Sequence, residues 1–266
     1  MKKISLLSLF AVLVLFQSCK KDNSDWTFEQ DNAIATEMLQ DVYKQVDGMA
    51  QSDGKLKTCA VATLSDTLGN FPNTLTIDFG TGCTGQDQRT RSGKIIASFT
   101  GRWRTPNSEI TVTTDNYKVN GYAVNGTTTI RNNGFNNNGN LSYTVTTTNG
   151  TVTDTAGQSI QWNASTTYEW VAGMSTDFVN NGINGIYDDV YHITGSANGV
   201  NRNGNAYTAN ITYRLEKALA CRWIKSGTIE ISPANGDPRT LDFGNGDCDA
   251  SATFRFRQWT LNFLMP

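Results

Sequence analysis

The chain has 266 residues, 17% of them charged, with 22 Lys and Arg against 24 Asp and Glu for a formal net charge of −2. Nucleic-acid binding needs concentrated Lys and Arg to neutralise phosphates, and this balance argues against that class of partner. Abundant Gly, Asn and Thr suit many short strands and tight turns, and 12 Phe, 9 Tyr and 6 Trp supply a core.

Lys2 and Lys3 precede an apolar run, residues 4–16, broken only by Ser5 and Ser8. The run is shorter than the roughly 20 residues a spanning helix needs. It fits the apolar region of a secretory signal, which is removed on export. It leads into Phe16-Gln17-Ser18-Cys19, which resembles a bacterial lipobox, although Gln17 departs from the small residue common at that place. Ser18-Cys19-Lys20-Lys21-Asp22 is similar to the start of lipoproteins of the Bacteroidetes. The resemblance implies cleavage before Cys19, a diacylglycerol on its thiol and acylation of the freed amine. Each buried CH₂ contributes about 0.8 kcal/mol, so such a cysteine anchors a chain to a membrane without a spanning helix. The competing account is a plain secretory leader with an incidental cysteine. Cleavage would leave 248 residues (266 minus 18) and, with Lys2 and Lys3 gone, move the charge from −2 to −4. Residues 1–18 are thus the expected signal peptide, 19–26 a lipidated tether, and 27–266 a single β-rich domain, a length one such domain can reach.

Residues 27–49 carry the one clear helical period. Ile34, Met38, Val42 and Val46 recur at four-residue steps, with Ala35, Leu39 and Met49 beside them. Gly48 and Gly54 stand where helices stop. The apolar stripe is expected to pack on the sheet that follows.

From about residue 58 the period is two. Ile95, Ala97, Phe99 and Trp103 share one parity; so do Ile160, Trp162, Ala164, Tyr168 and Trp170, and Tyr207, Ala209, Ile211, Tyr213 and Leu215. Phe254 and Phe256 alternate likewise, then Trp259, Leu261 and Phe263 after a shift of parity that marks a turn or bulge. One apolar and one polar face per strand predicts antiparallel sheet. Asn120-Gly121, Asn149-Gly150 and Asn203-Gly204 are hairpin signals. The expected architecture is all-β, an up-and-down antiparallel meander of roughly 11 to 13 strands, strongly curved or barrel-like, with the N-terminal helix packed on it. A two-sheet sandwich is the alternative. Residues 132–140 and 176–185 read as irregular loops.

The chain also repeats itself. Cys59 is followed by Asp78-Phe79-Gly80-Thr81-Gly82-Cys83, and Cys221 by Asp242-Phe243-Gly244-Asn245-Gly246-Asp247-Cys248. An even number of cysteines beyond Cys19 in an exported chain predicts disulfides. The simplest pairing closes each copy on itself, Cys59 with Cys83 and Cys221 with Cys248; a pairing that links the copies is chemically equivalent. The Asp-Phe-Gly repeats, Arg89-Thr90-Arg91-Ser92-Gly93-Lys94 and Ile193-Thr194-Gly195-Ser196-Ala197 resemble segments of uncharacterised lipoproteins of the Bacteroidetes over most of the mature chain. That resemblance implies a cell-envelope location, an outer membrane anchor facing the periplasm or the cell surface, and no particular activity.

Catalytic sets are sparse. His192 is the only histidine and falls on the polar parity of an expected strand, residues 187–197, with no Gly-x-Ser-x-Gly nucleophile motif to serve. Asp-Phe-Gly without a Gly-rich loop, a paired lysine or an His-Arg-Asp loop is turn chemistry rather than a kinase mark. Asp188, Asp189 and Glu169 are candidates for a glycosidase-type carboxylate pair, and Asp188, Asp189, Asp247 and Asp249 offer loop oxygens to calcium, although without EF-hand spacing these four are expected to be solvated loop acids. Arg89, Arg91, Lys94, Arg102 and Arg104 form a basic concentration expected on a solvated hairpin and strand face, the alternative being a site for an anionic glycan or lipid head group. No cofactor, metal or catalytic residue is assigned. The leading expectation is a noncatalytic, lipid-anchored envelope protein that binds or builds, with an envelope-protein, lipid or glycan partner. A hydrophobic-ligand or lipid carrier would show an unfilled apolar cavity. A glycan binder would show exposed aromatics, with Trp103, Trp170 and Trp223 as candidates.

Overall fold

The computed structural model describes residues 26–56, 58–67 and 69–265. Cys19 and the expected leader and tether, up to residue 25, lie outside the described residues. Among the described residues, helix α1 (Thr27–Gln51) is followed by 14 strands that form one antiparallel sheet. They are β1 (Val61–Leu64), β2 (Asn73–Asp78), β3 (Cys83–Thr84), β4 (Thr90–Phe99), β5 (Glu109–Val119), β6 (Tyr122–Phe135) and β7 (Leu141–Thr153). Then come β8 (Ser159–Ala172), short helices α2 (Phe178–Asn181) and α3 (Asn184–Tyr187), β9 (Val190–Val200), β10 (Ala206–Ala218), β11 (Ser226–Pro233), β12 (Arg239–Asn245), β13 (Ser251–Phe256) and β14 (Trp259–Leu264). Spatial order follows chain order, except that β3 pairs only with β4. The sheet is a meander, as the alternation predicts, and it is not closed: β1 and β14 are its edges.

The sheet rolls around α1. The helix meets β4, β6, β7, β8 and β11, elements far apart in strand order. Its apolar stripe is buried at Met38, Val42, Val46 and Met49, as the period predicts. The other faces are buried too: Glu29, Asp31, Glu37, Asp41 and Asp47 are each at most 1% exposed. The helix is therefore enclosed rather than laid on one surface, because the strands bring basic partners to its polar faces. Gly48 sits inside the helix instead of ending it; a Cβ there would stand 3.1 Å from Leu56, so glycine lets the chain fold back closely. The helix ends at Gln51, followed by Asp53 and Gly54 at positive φ, with Gly54 N–H donating to Met49 O at 2.7 Å.

Strand interiors follow the alternation. Ile160, Trp162, Ala164, Tyr168 and Trp170 all point inward from β8. In β10 the pattern fails at Tyr213, which is 57% exposed, because the register slips between Asn210 and Leu215. Trp103 lies in a turn beyond the end of β4 yet is buried. The parity shift after Phe256 is a turn, with Arg257 at positive φ joining β13 to β14.

Three local expectations are corrected. Asn120-Gly121 turns the chain from β5 to β6 with both residues at positive φ, but Asn149-Gly150 makes no hairpin: it lies within β7 at a register slip against β8. Gly150 is needed there for close approach, since a Cβ would stand 2.3 Å from Trp162 O. Residues 132–140 are not a loose loop; β6 runs to Phe135 and Asn136–Asn140 is a tight turn closed by Asn136 N–H to Asn140 O at 2.8 Å. Residues 176–185 hold α2 and the start of α3, and the strand expected from residue 187 begins at Val190.

Both repeats close on themselves through Cys59–Cys83 and Cys221–Cys248. Their turns match: Gly80 N–H donates to Asp78 Oδ1 at 2.8 Å and Gly244 N–H to Asp242 Oδ1 at 2.9 Å.

Candidate functional site

Five acids of α1 are enclosed by the wall of the roll, and four of them meet basic partners there. Glu37 Oε2 accepts from Arg89 Nη2 at 2.9 Å, and its other oxygen accepts from the Ile224 backbone N–H at 3.3 Å. Asp41 accepts from Arg89 at 3.0 Å, from Arg91 Nε and Nη2 at 2.9 and 2.5 Å, and from Tyr117 Oη at 2.6 Å. Burial pushes the Asp41 carboxyl up, but Arg91, Arg89 and Tyr117 outweigh it and hold the group well below the usual carboxylate range. Asp31 accepts the Arg202 backbone N–H and Nε, each at 2.7 Å, and Glu29 faces Arg239 at 3.4 Å. Lys217 is enclosed near the Glu37 cluster and donates to Arg222 O at 2.6 Å; burial lowers its pKa to about 8.

The fifth acid, Asp47, meets another acid. Gln51 Nε2 donates at 2.8 Å to Asp47 Oδ1 and at 2.8 Å to Asp189 Oδ2. Asp189 Oδ1 also accepts from Trp170 Nε1 at 3.0 Å. Burial, and then the charge of Asp189, raises the Asp47 pKa well above its usual value; burial leads the rise of Asp189 to about 7. Arg104 closes this layer. Its guanidinium lies 4.5 Å over the Trp170 ring and donates to Gln51 Oε1 at 3.0 Å, Met174 O at 3.0 Å and Thr176 O at 2.9 Å.

Above Arg104 and Gln51, at the C-terminal end of α1, a cleft of about 330 Å³ opens to the surface. Leu64, Phe71, Leu75, Phe99 and Val179 give it apolar walls, and Trp103, Asn73, Arg102, Asp53 and Asp177 add polar groups. Inside the roll a gap between α1 and the wall of β8–β11 is only about 40 Å³. A shallow depression of about 530 Å³ crosses the outer face of β8–β11, but its lining carries neither a charge nor an exposed aromatic ring. The cleft is the better-formed site because it combines concavity with convergent polar groups.

The residues singled out in the sequence scatter once the chain folds. Arg89 and Arg91 are 2% exposed and bound to the helix, not on a solvated face. Lys94 is at the surface against Asp78 at 3.3 Å, and Arg102 and Arg104 line the cleft. Asp189 is buried, contrary to the expectation of a solvated loop acid, whereas Asp188 is exposed and accepts from Thr176 Oγ1 at 2.8 Å. Glu169 accepts from the side-chain amides of Asn140, Asn136 and Asn138 at 2.8–3.1 Å, which lower its pKa to about 2. His192 sits opposite Glu169 in the β8–β9 register and 3.9 Å from Glu216; burial and the charge of Arg214 lower its pKa. Asp247 and Asp249 are exposed, and Asp249 accepts the Ser251 N–H in its own turn. Among the described residues no group of three or more His, Cys, Asp or Glu is placed to hold a metal ion. Trp103 and Trp170 are 4% and 0% exposed and offer no stacking surface; Trp223 is half-buried with Arg222 5.0 Å over its ring.

Sequence reasoning missed the acids of α1 and their partners Arg202, Arg239 and Tyr117. Parity held a signal: Arg89 and Arg91 share the odd numbering of Ile95, Ala97 and Phe99, which face the interior.

Comparison with family models, with curated proteins and with solved structures finds no match. Among the described residues no helix is long and apolar enough to cross a membrane, which says nothing of strands.

Proposed function

We propose that this chain is a lipid-anchored, noncatalytic protein of the cell envelope that works by binding a ligand in the cleft at the C-terminal end of α1. The leader ending in Cys19 motivates the anchor, and the observation that carries the binding role is the cleft itself. The space inside the roll is taken up by α1 and its ion pairs, which leaves little room for a cargo held at the centre. The buried acids that could serve chemistry, Asp47 and Asp189, lie beneath Gln51 and Arg104 and are each 0% exposed. The apolar walls of the cleft favour this over a glycan-binding role.

The anchor is tested by expressing the chain and its Cys19→Ser variant in a lipoprotein-processing bacterium fed labelled palmitate. The expected result is label and membrane fractionation for the parent and neither for the variant. A variant that stays with the membrane, or a parent that takes no label, defeats the anchor.

A further inference from the structure

The cleft holds hydrogen-bond donors without acceptors. Trp103 lines it and is 4% exposed, yet its indole N–H has no acceptor among the described residues. A buried donor left without an acceptor costs roughly 1–3 kcal/mol; the Trp103 indole nitrogen is itself closed to solvent, so its N–H reports on the cleft wall. Arg102 stands exposed at the same cleft, 3.5 Å from where a Cβ on Gly69 would be; its carbonyl accepts the Thr105 N–H, but its guanidinium has no ion-pair or hydrogen-bond partner among the described residues. Arg104 is bound by two backbone carbonyls and one amide oxygen, with no carboxylate at ion-pair distance among the described residues. Two acids also line the cleft. Asp177 is committed to the α2 N-terminus through the Asn180 backbone N–H at 2.7 Å, and Asp53 lies in the turn after α1.

Donors and guanidinium groups thus stand at one cleft with the apolar side chains of Leu64, Phe71, Phe99 and Val179. We infer that the cleft takes an amphipathic anion: a carboxylate or phosphate head received by Arg102, with an apolar body against those side chains. Charge-assisted bonds from arginine to such heads are the strong class of hydrogen bond, and the apolar body adds burial. The inference rests on the cleft being the binding site proposed above. A free fatty acid and a phospholipid fragment share this chemistry.

The test titrates the full chain carrying Cys19→Ser with four ligands that share one chain: octanoate, octyl phosphate, octanol and octyltrimethylammonium. Binding is read from the indole N–H resonance of Trp103, assigned by its loss in Trp103→Phe. The expected result is saturable binding of octanoate or octyl phosphate, about tenfold tighter than octanol, with the cation weakest. Arg102→Gln should remove that margin and leave octanol binding unchanged. Preference for octanoate points to a fatty acid, and for octyl phosphate to a phospholipid fragment. Equal binding of octanol and the anions overturns the inference but keeps the cleft as a site; no binding of any of the four overturns both.

Discussion

Arg91 of β4 grips Asp41 of α1 with two nitrogens, Nε and Nη2, at 2.9 and 2.5 Å, where both residues are at most 2% exposed. The pair fixes the rotation of the helix inside the roll, since Asp41 also holds Arg89 and Tyr117. Removing one partner of a buried pair leaves the other charged and dry. Asp41→Asn should therefore lower stability by about 3–5 kcal/mol. Asp237→Asn, which breaks the exposed pair with Arg257 at 2.5 Å, should cost less than about 1 kcal/mol. Urea unfolding of both variants checks the contrast; equal losses would show that burial does not set the strength of these pairs.

Asp41 and Asp189 should give opposite pH dependences. The Asp41 pKa is lowered in the folded state, so its contribution is present above about pH 4 and is lost as pH falls toward the folded value. The Asp189 pKa is raised to about 7, so the folded chain holds a proton there that the unfolded chain has released. Its contribution is full below about pH 4 and is lost as pH rises through about 7. The urea midpoint should decline across that window, and Asp189→Asn should flatten the decline. An unchanged slope in the variant would clear the Asp47–Asp189 pair of responsibility.

Each disulfide closes a loop, with sequence separations of 24 and 27 residues. Replacing Cys221 and Cys248 by Ser should lower stability by about 3 kcal/mol, and replacing Cys59 and Cys83 by a similar amount. The check is thermal unfolding of each double variant under oxidising conditions, with the parent in reductant as the reference. A loss confined to one pair would mean that the two repeats are not equivalent supports.

Gly150→Ala places a methyl 2.3 Å from Trp162 O, so β7 and β8 must part or shift. The cost should be about 1–3 kcal/mol. Gly139→Ala meets no atom within 4 Å and should cost less, through its positive φ alone. Hydrogen exchange at β8 amides separates the two: protection should fall in the first variant and hold in the second.

Much of the fold was legible because one face of each strand is apolar and the other polar, so parity names the inward side chains of β4 and β8 directly. The hairpin at Asn120-Gly121 was legible for a local reason, two residues that tolerate positive φ. Asn149-Gly150 has the same letters and a different cause, the approach of Trp162, which only the folded chain supplies. The enclosure of α1 was hidden because its acids at 29, 31, 37, 41 and 47 look like a solvated face until partners 48 to 210 residues away arrive. The cleft was hidden for the same reason: Trp103 and Arg102 follow β4, whereas Val179 comes from α2 and Met49 from α1. No local pattern joins them.

The enclosed helix also sets an order of events. Glu29 waits for Arg239, 210 residues later, and Asp31 for Arg202, 171 residues later. A chain made from its N-terminus presents its helix first and its last strands last. Until those residues arrive, Glu29 and Asp31 lack their arginines. Pairings so distant in sequence make for slow closure. The acids thereby tie the enclosure of the N-terminal helix to the far end of the chain: Glu29 meets Arg239 only where β12 closes over it.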